Sequence, residues 1–490
     1  MREFGILAGV ASLPSRHGIG DFGKEAYHFL DKLHTTGCAL WQVLPMHPLG
    51  YGNSPYQPYS SYALEDLYIS LEMLQEVGLL QEVSNFNEDS DRVDYEAVRH
   101  FKERYLLEAY KNFKRSPIKL GDISYEEFIT MDWVRPFGLF MTFKKKHNNA
   151  CWNEWDKEYR DCDPLSPSIS LEPYQEEIDY VCFKQYVLYT QWLSLKKYAN
   201  VLDIEIIGDM PIYVGIDSLD VWSNKFAFLL DSNGRPTFIA GVPPDYFSAT
   251  GQRWGNPIYD WENMEKDDFK FWCDRLAYST QLYDRVRIDH FRAFDTYWKI
   301  PSTCETAVEG EWIEAPGYKL FDTLLEKIDG LHIIAEDLGD LRPEVLELRD
   351  HYGFPGMKVV HFTFDPTRED TFDDRENMII YTGTHDNQMT QSWYDSLDEY
   401  HKNAIDEYFI ENKYTYPSVV KNFLAFTMDS IANTAILPIQ DILELEDSAR
   451  LNTPGTLGSP NWEWKLVSLD VLDNALKFVR EIAQKSQRIN

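Results

Sequence analysis

Arg285-Val286-Arg287-Ile288-Asp289 is a short run that carries β-branched residues and stops on a carboxylate. Ile333-Ile-Ala-Glu336, Ile379-Ile-Tyr-Thr-Gly-Thr-His-Asp386 and Ile204-Glu-Ile-Ile-Gly-Asp209 have the same form. Brief β-branched runs ending in acids read as parallel strands whose C-terminal tips carry chemistry, because many strand ends opening on one face make a natural active site. The repeated form implies a carboxylate-based enzyme.

Runs of the same character predict strands at 5–13, 39–46, 204–212, 285–291, 332–338, 357–362, 378–384 and 434–439. Amphipathic stretches at 24–34, 321–328, 344–351 and 416–432 lie between them, and 471–484 reads as a closing helix. Strands alternating with helices point to a parallel sheet, and eight such units point to an α/β fold of the (β/α)8 TIM-barrel type.

Two connections are too long for a plain barrel. The interval of about 49–203 contains helical patterns at 98–112 and 183–199, so a mostly helical insertion subdomain is expected there. A second insertion, about 213–284, contains the turn-rich, aromatic stretch 241–256, which has the character of an active-site lid. With no internal repeat and no shift in composition, residues 1–490 read as one catalytic barrel unit.

Composition narrows the function. A formal charge of −33 argues against a nucleic-acid or anionic-membrane surface, both of which need clustered Lys and Arg. A neutral ligand is not repelled, and the 14 Trp and 30 Tyr supply flat apolar faces for stacking. Six cysteines without C-x-x-C pairs or regular spacing read as reduced thiols, not as a zinc site or a disulfide framework. The N-terminal residues lack signal-peptide features and no segment is apolar enough to span a bilayer, so a cytoplasmic protein is expected.

Gly18-Ile-Gly-Asp-Phe-Gly23 matches the G-x-G-x-x-G dinucleotide pattern between a strand and a helix. The next strand, however, ends Leu44-Pro45-Met46-His47 instead of on a ribose-binding acid, and the first glycine lies several residues past the strand. No cofactor is expected.

Asp289, Glu336 and Asp386 form the sharper constellation. A single acid at a strand end commonly caps a helix or pairs with a base, but three at equivalent places strain that account. Paired carboxylates beside an arginine suit glycosidic-bond chemistry, and Arg287 shares a strand face with Asp289. Metal binding by the same acids with His290 and His385 is the rival, although no H-x-H or H-x-x-x-H spacing supports it. Tyr51-Gly-Asn-Ser54-Pro-Tyr56-Gln57-Pro-Tyr59 stacks a sugar or packs as an ordinary ordered loop, and Tyr246, Phe247 and Trp254 carry the same two readings.

The chain closely resembles the 4-α-glucanotransferases of glycoside hydrolase family seventy-seven, in the α-amylase clan. The clan's signature regions look like Asp209-Met-Pro-Ile-Tyr-Val214, Val286-Arg-Ile-Asp-His290, Ala335-Glu-Asp-Leu-Gly339 and Thr384-His-Asp-Asn387. Group-specific blocks are Trp41-Gln-Val-Leu-Pro45, Ser54-Pro-Tyr-Gln57, the 241–256 loop, Asn452-Thr-Pro-Gly455 and Asn461-Trp-Glu-Trp464.

The resemblance implies an enzyme that moves a segment of an α-1,4-glucan to the 4-hydroxyl of glucose or another glucan by retaining double displacement. It implies Asp289 as nucleophile, Glu336 as general acid/base and Asp386 as the carboxylate gripping ring hydroxyls. Arg287, Asp209, His290 and His385 match positions contacting the sugar beside the cleaved bond. Tyr56, Asp245, Tyr246, Gln252 and Trp254 match the surrounding glucan cleft, and Ser54 and Asn387 lie within matching blocks. Maltooligosaccharides and other α-1,4-glucans are the implied partners, with no metal and no cofactor.

The chain departs from the group at Ser60-Ser-Tyr-Ala-Leu-Glu-Asp-Leu67, where small residues and an Asn-Pro are usual, and at Leu451, where a Met is usual. A hydrolase of the same clan and a non-catalytic glucan-binding protein remain the alternatives. The sequence does not speak to chain-length preference or oligomeric state.

Overall fold

The computed structural model describes residues 2–86, 90–244, 248–339, 341–365 and 374–489. Eight short strands are arranged around a common axis: β1 (Glu3–Leu7), β2 (Leu40–Gln42), β3 (Glu205–Pro211), β4 (Arg285–Asp289), β5 (Ile333–Ala335), β6 (Gly356–Val359), β7 (Met378–Tyr381) and β8 (Thr434–Pro438). Their order is β6-β7-β8-β1-β2-β3-β4-β5, with every ladder parallel. The two ends of that order meet. Ala335 N–H donates to Pro355 O at 2.9 Å across β5 and β6, which closes a (β/α)8 barrel.

Each expected strand is present, but shorter than its apolar run. The ladder stops where the chain turns into a loop, as where Val10–Ser12 forms a 3₁₀ turn after β1. Gly5 is needed inside β1, because a Cβ there would lie 2.6 Å from Leu40 Cβ on β2 and 2.6 Å from Ile436 on β8. Helices such as Lys24–Thr36, Gly317–Lys327, Pro343–His351, Val419–Asp429 and Leu472–Lys485 surround the sheet.

Between β2 and β3 the chain builds helices Leu71–Glu76, Tyr95–Arg115, Val134–Lys146 and the 27-residue Gln175–Val201. Ser70 and Asp94 cap the first two by accepting from the amides of Met73 and Ala97. The long helix ties this layer to the barrel, since Trp192 packs on Phe22 and Trp41 and donates its Nε1–H to Leu282 O at 3.0 Å.

The segment between β3 and β4 brings a feature that helical periodicity does not announce. Residues 241–256, expected as a loop, begin and end in strand: Phe238–Val242 pairs with Gln252–Pro257 and with Thr296–Pro301, which pairs in turn with Glu311–Glu314. The partners of this antiparallel sheet come from either side of β4. That separation hides the pairing from any local reading.

The glycine-rich stretch is a packing junction. A Cβ on Gly18 would lie 2.6 Å from both Phe86 and Val98, and one on Gly23 would lie 2.3 Å from Ser70 Oγ. Asp21 between them faces the fully buried Lys102 at 3.5 Å. The glycines admit the side chains of Phe86, Val98 and Ser70. Among the described residues no helix is long and apolar enough to cross a membrane.

Candidate active site

The odd positions of β4 share one face: Arg285 low in the barrel, Arg287 midway and Asp289 at the C-terminal tip. Register sets Arg287 opposite Asp209 of β3 and Asp289 opposite Pro211. Arg287 Nη1 contacts both oxygens of Asp209 at 2.7 Å, while Nη2 donates to Asp289 Oδ1 at 3.0 Å. One guanidinium therefore fixes two carboxylates. Burial alone would drive Arg287 towards its neutral form, but the charges of Asp209 and Asp289 outweigh it and hold its pKa well above the ordinary value.

Tyr56 completes this cluster by donating its hydroxyl to Asp209 Oδ2 at 2.8 Å. Burial and the Asp209 charge push the phenol far above its usual pKa, so it remains a donor. Its ring lies on His385, with centroids 5.1 Å apart and planes at 16°, and Trp462 tilts against both rings. A continuous aromatic surface results.

Glu336 follows β5 and is half-buried. Its Oε2 accepts from His290 N–H at 2.7 Å and its Oε1 from Leu338 N–H at 3.0 Å. Burial and then the nearby Asp289 charge raise its pKa to about 7, against Arg287 and the two amides. His290, immediately after Asp289, adopts φ 55° and ψ 51°, an unusual conformation for a residue with a Cβ. That turn aims its amide at Glu336 and its ring at Trp254, 4.9 Å away and edge-on. Burial lowers the imidazole pKa to about 4, which keeps it neutral.

Asp386 stands across the mouth, past the tip of β7. Asn452 Nδ2 donates to its Oδ1 at 2.7 Å, His385 Nε2 lies 3.4 Å from the same oxygen, and Arg450 donates to its backbone carbonyl. Asn387 secures the turn by accepting from Thr384 N–H at 2.8 Å and from Thr384 Oγ1 at 2.9 Å.

These groups surround a cleft of about 1180 Å³ at the C-terminal mouth. Ser54, Tyr56, Gln252, Trp254, Asp289, His290, His385, Asp386 and Asn387 line it. Asp209 and Arg287 lie beneath its floor, 0% and 4% exposed, and Glu336 sits behind the His290 amide. Asp245 and Tyr246, expected in the same cleft, lie outside the described residues. Another cavity of about 640 Å³ opens at the opposite end of the barrel beside Glu205, Arg285 and His332, and contains none of the three acids.

Sequence reasoning assigned no role to Arg450, Asn452 or Trp462, which complete the wall around Asp386 and Tyr56. The only sequence signal for Asn452 and Trp462 is membership of the 452–455 and 461–464 blocks, and Arg450 lies outside both. Among the described residues no group of three or more His, Cys, Asp or Glu side chains is arranged to hold a metal ion, and Arg287 occupies the space between Asp209 and Asp289.

A closed parallel barrel whose C-terminal mouth gathers three carboxylates, a fixed arginine and a bank of aromatic rings defines a carbohydrate-active barrel enzyme. A family profile described as 4-alpha-glucanotransferase matches residues 8–470. The chain belongs to the 4-alpha-glucanotransferase family.

The 4-alpha-glucanotransferase of Streptococcus pneumoniae serotype 4 is 42% identical over 506 aligned residues, covering 100% of this chain and 98% of that protein. That of Thermus thermophilus is 40% identical and covers 100% and 99%. Among solved structures, the amylomaltase from Streptococcus agalactiae in complex with acarbose superposes with a TM-score of 0.93 at 36% identity, covering all of both chains.

Proposed function

We propose that this enzyme is a 4-α-glucanotransferase acting by retaining double displacement on maltooligosaccharides and longer α-1,4-glucans. The observation that carries the mechanism is the unequal treatment of two neighbouring carboxyls. Asp289 is bound to a fixed cation, whereas Glu336 is half-buried and raised to about 7.

Asp289 attacks the anomeric carbon as the glycosidic C–O bond breaks, and Glu336 delivers its proton to the departing oxygen. A glucosyl ester on Asp289 remains. Glu336, now a carboxylate, takes the proton from the 4-hydroxyl of an incoming sugar, whose oxygen displaces Asp289 and restores the α-linkage. Asp386, oriented by Asn452, holds hydroxyls of the reacting ring, and the Tyr56, His385 and Trp462 rings carry its apolar face. The neutral His290 contributes its ring edge to the wall and its amide to Glu336.

Transfer prevails over hydrolysis when a sugar fills the acceptor side and excludes water, and Trp254 and Gln252 stand at that wall. The six free cysteines suit the reducing, cytoplasmic setting expected from the sequence. Incubation with maltotriose tests the assignment. Glucose and longer oligomers at constant total reducing ends are expected, while rising reducing ends indicate a hydrolase and unchanged substrate refutes both activities.

A further inference from the structure

Asp337 is buried, carries a carboxylate, and has no part in the steps above. It sits at the one junction of the barrel where the described residues form no strand ladder. β5 and β6 are the two ends of the sheet order, and what joins them is Ala335 N–H to Pro355 O at 2.9 Å and Met357 N–H to Asp337 Oδ1 at 2.7 Å. The second of these replaces a strand carbonyl with a side chain. Glu336 is the single residue between the two ties.

The carboxylate is itself clamped. Its Oδ2 accepts from Arg349 Nη1, on the helix Pro343–His351, and Arg349 is only 3% exposed. Gly356 makes room for the clamp, because a Cβ there would lie 2.4 Å from Asp337 Oδ2 and 2.8 Å from Arg349 Nη1. On the far side, Met357 Sδ accepts from Arg287 Nε at 3.4 Å, so the same junction touches the cation that holds Asp289.

We infer that Asp337 and Arg349 act together as a positioning pair: by stitching β5 to β6 on either side of Glu336, they hold the acid/base at the height and angle at which it meets the glycosidic oxygen. The inference rests on Glu336 acting as acid/base. On its β4 side Glu336 is laddered, donating its N–H to Ile288 O at 3.1 Å and accepting from Phe291 N–H at 2.9 Å, whereas on its β6 side the angle of the strand end depends on the two ties alone and shifts when one is lost. A displacement near 1 Å in a proton-transfer group costs on the order of 100-fold in rate.

The test separates proton donation from everything else in the site. A maltosyl fluoride donor forms the Asp289 ester as the C–F bond breaks and fluoride ion leaves, with no proton required of Glu336. Asp337→Asn, Arg349→Met and Glu336→Ala are compared with the parent enzyme for maltotriose turnover and for the pre-steady-state burst of fluoride. Thermal unfolding and circular dichroism establish that each is folded.

Asp337→Asn and Arg349→Met are expected to lower kcat on maltotriose by about 30- to 100-fold with KM changed less than about threefold, while the fluoride burst stays within about threefold. The double variant is expected to lose no more than the worse single one. Should Asp337→Asn fail to fold, Arg349→Met, which leaves the Met357 tie intact, decides the matter alone. Equal losses on both donors, or none on either, overturn the positioning role provided that Glu336→Ala shows the split. If Glu336→Ala shows no split, the acid/base assignment falls and this inference with it.

Discussion

Arg285 and Arg287 lie on the same face of the same strand, two residues apart, and each binds two carboxylates. Arg285 reaches Glu3 and Glu205 at the open base of the barrel, where the three side chains are 24%, 25% and 49% exposed. Arg287 reaches Asp209 and Asp289 near the mouth, where the corresponding figures are 5%, 0% and 33%. Identical pairing chemistry thus has two meanings. At the base, water screens the charges and the pairs only trim the end of the sheet. Near the mouth, low dielectric makes each charge matter, and the one partly exposed carboxylate is the proposed nucleophile.

The largest effect is expected from removing the proposed nucleophile. Asp289→Asn is expected to reduce maltotriose turnover by at least about 1000-fold while leaving glucan binding by calorimetry largely in place. Turnover retained by a folded variant would dismiss Asp289 as nucleophile. Next in size is the cation. Arg287→Met leaves Asp209 buried without its partner, so a loss of about 3–5 kcal/mol in denaturant unfolding is expected together with a fall in kcat. Arg285→Met is expected to cost within about 1 kcal/mol and to leave kcat unchanged within about twofold. Equal penalties for the two arginines would show that burial does not distinguish the pairs at the mouth from those at the base.

The raised carboxyl of Glu336 predicts a pH signature of intermediate size. In the proposed mechanism its protonated form is the working acid, so kcat/KM is expected to fall above about pH 7 with a limiting slope near −1 in log units, and Glu336→Gln is expected to abolish that limb along with activity. Linkage gives the stability counterpart. A carboxyl raised from 4.5 to about 7 in the fold binds more proton folded than unfolded between those values, so stability falls as pH climbs through that window. Glu336→Gln is expected to flatten part of this slope in urea unfolding. The buried Glu65, also raised to about 7 by burial, supplies another part that persists.

The smallest effect belongs to the wall. Asn452→Ala removes one hydrogen bond from Asp386 and is expected to reduce kcat/KM by about tenfold with stability nearly unchanged. An unaltered kcat/KM would show that Asp386 needs no such support.

Much of this arrangement can be read from the chain because strands advertise themselves locally. The runs ending at Asp289 and Glu336 are short, β-branched and buried, and their acids occupy tips by arithmetic alone. What escapes is whatever long-range return of the chain creates. The floor pair of Asp209 and Arg287 depends on the register of β3 against β4, across an insertion that periodicity reads without its sheet. Trp462 meets Tyr56 only because the segment between β8 and the closing helix returns over the loop that follows β2. The glycines from 18 to 23 resemble a nucleotide loop because close packing and phosphate cradling make the same demand, a backbone without Cβ.

Covalent glycosylation of the carboxylate held by Arg287 is the step on which the proposed mechanism depends. It is tested most directly by mixing Glu336→Gln with maltosyl fluoride and locating the adduct by peptide mass spectrometry. One maltosyl group is expected on the peptide containing Asp289, absent when Asp289→Asn is added. A maltosyl group on another residue, or complete fluoride release from the donor with no adduct at any time, would contradict it.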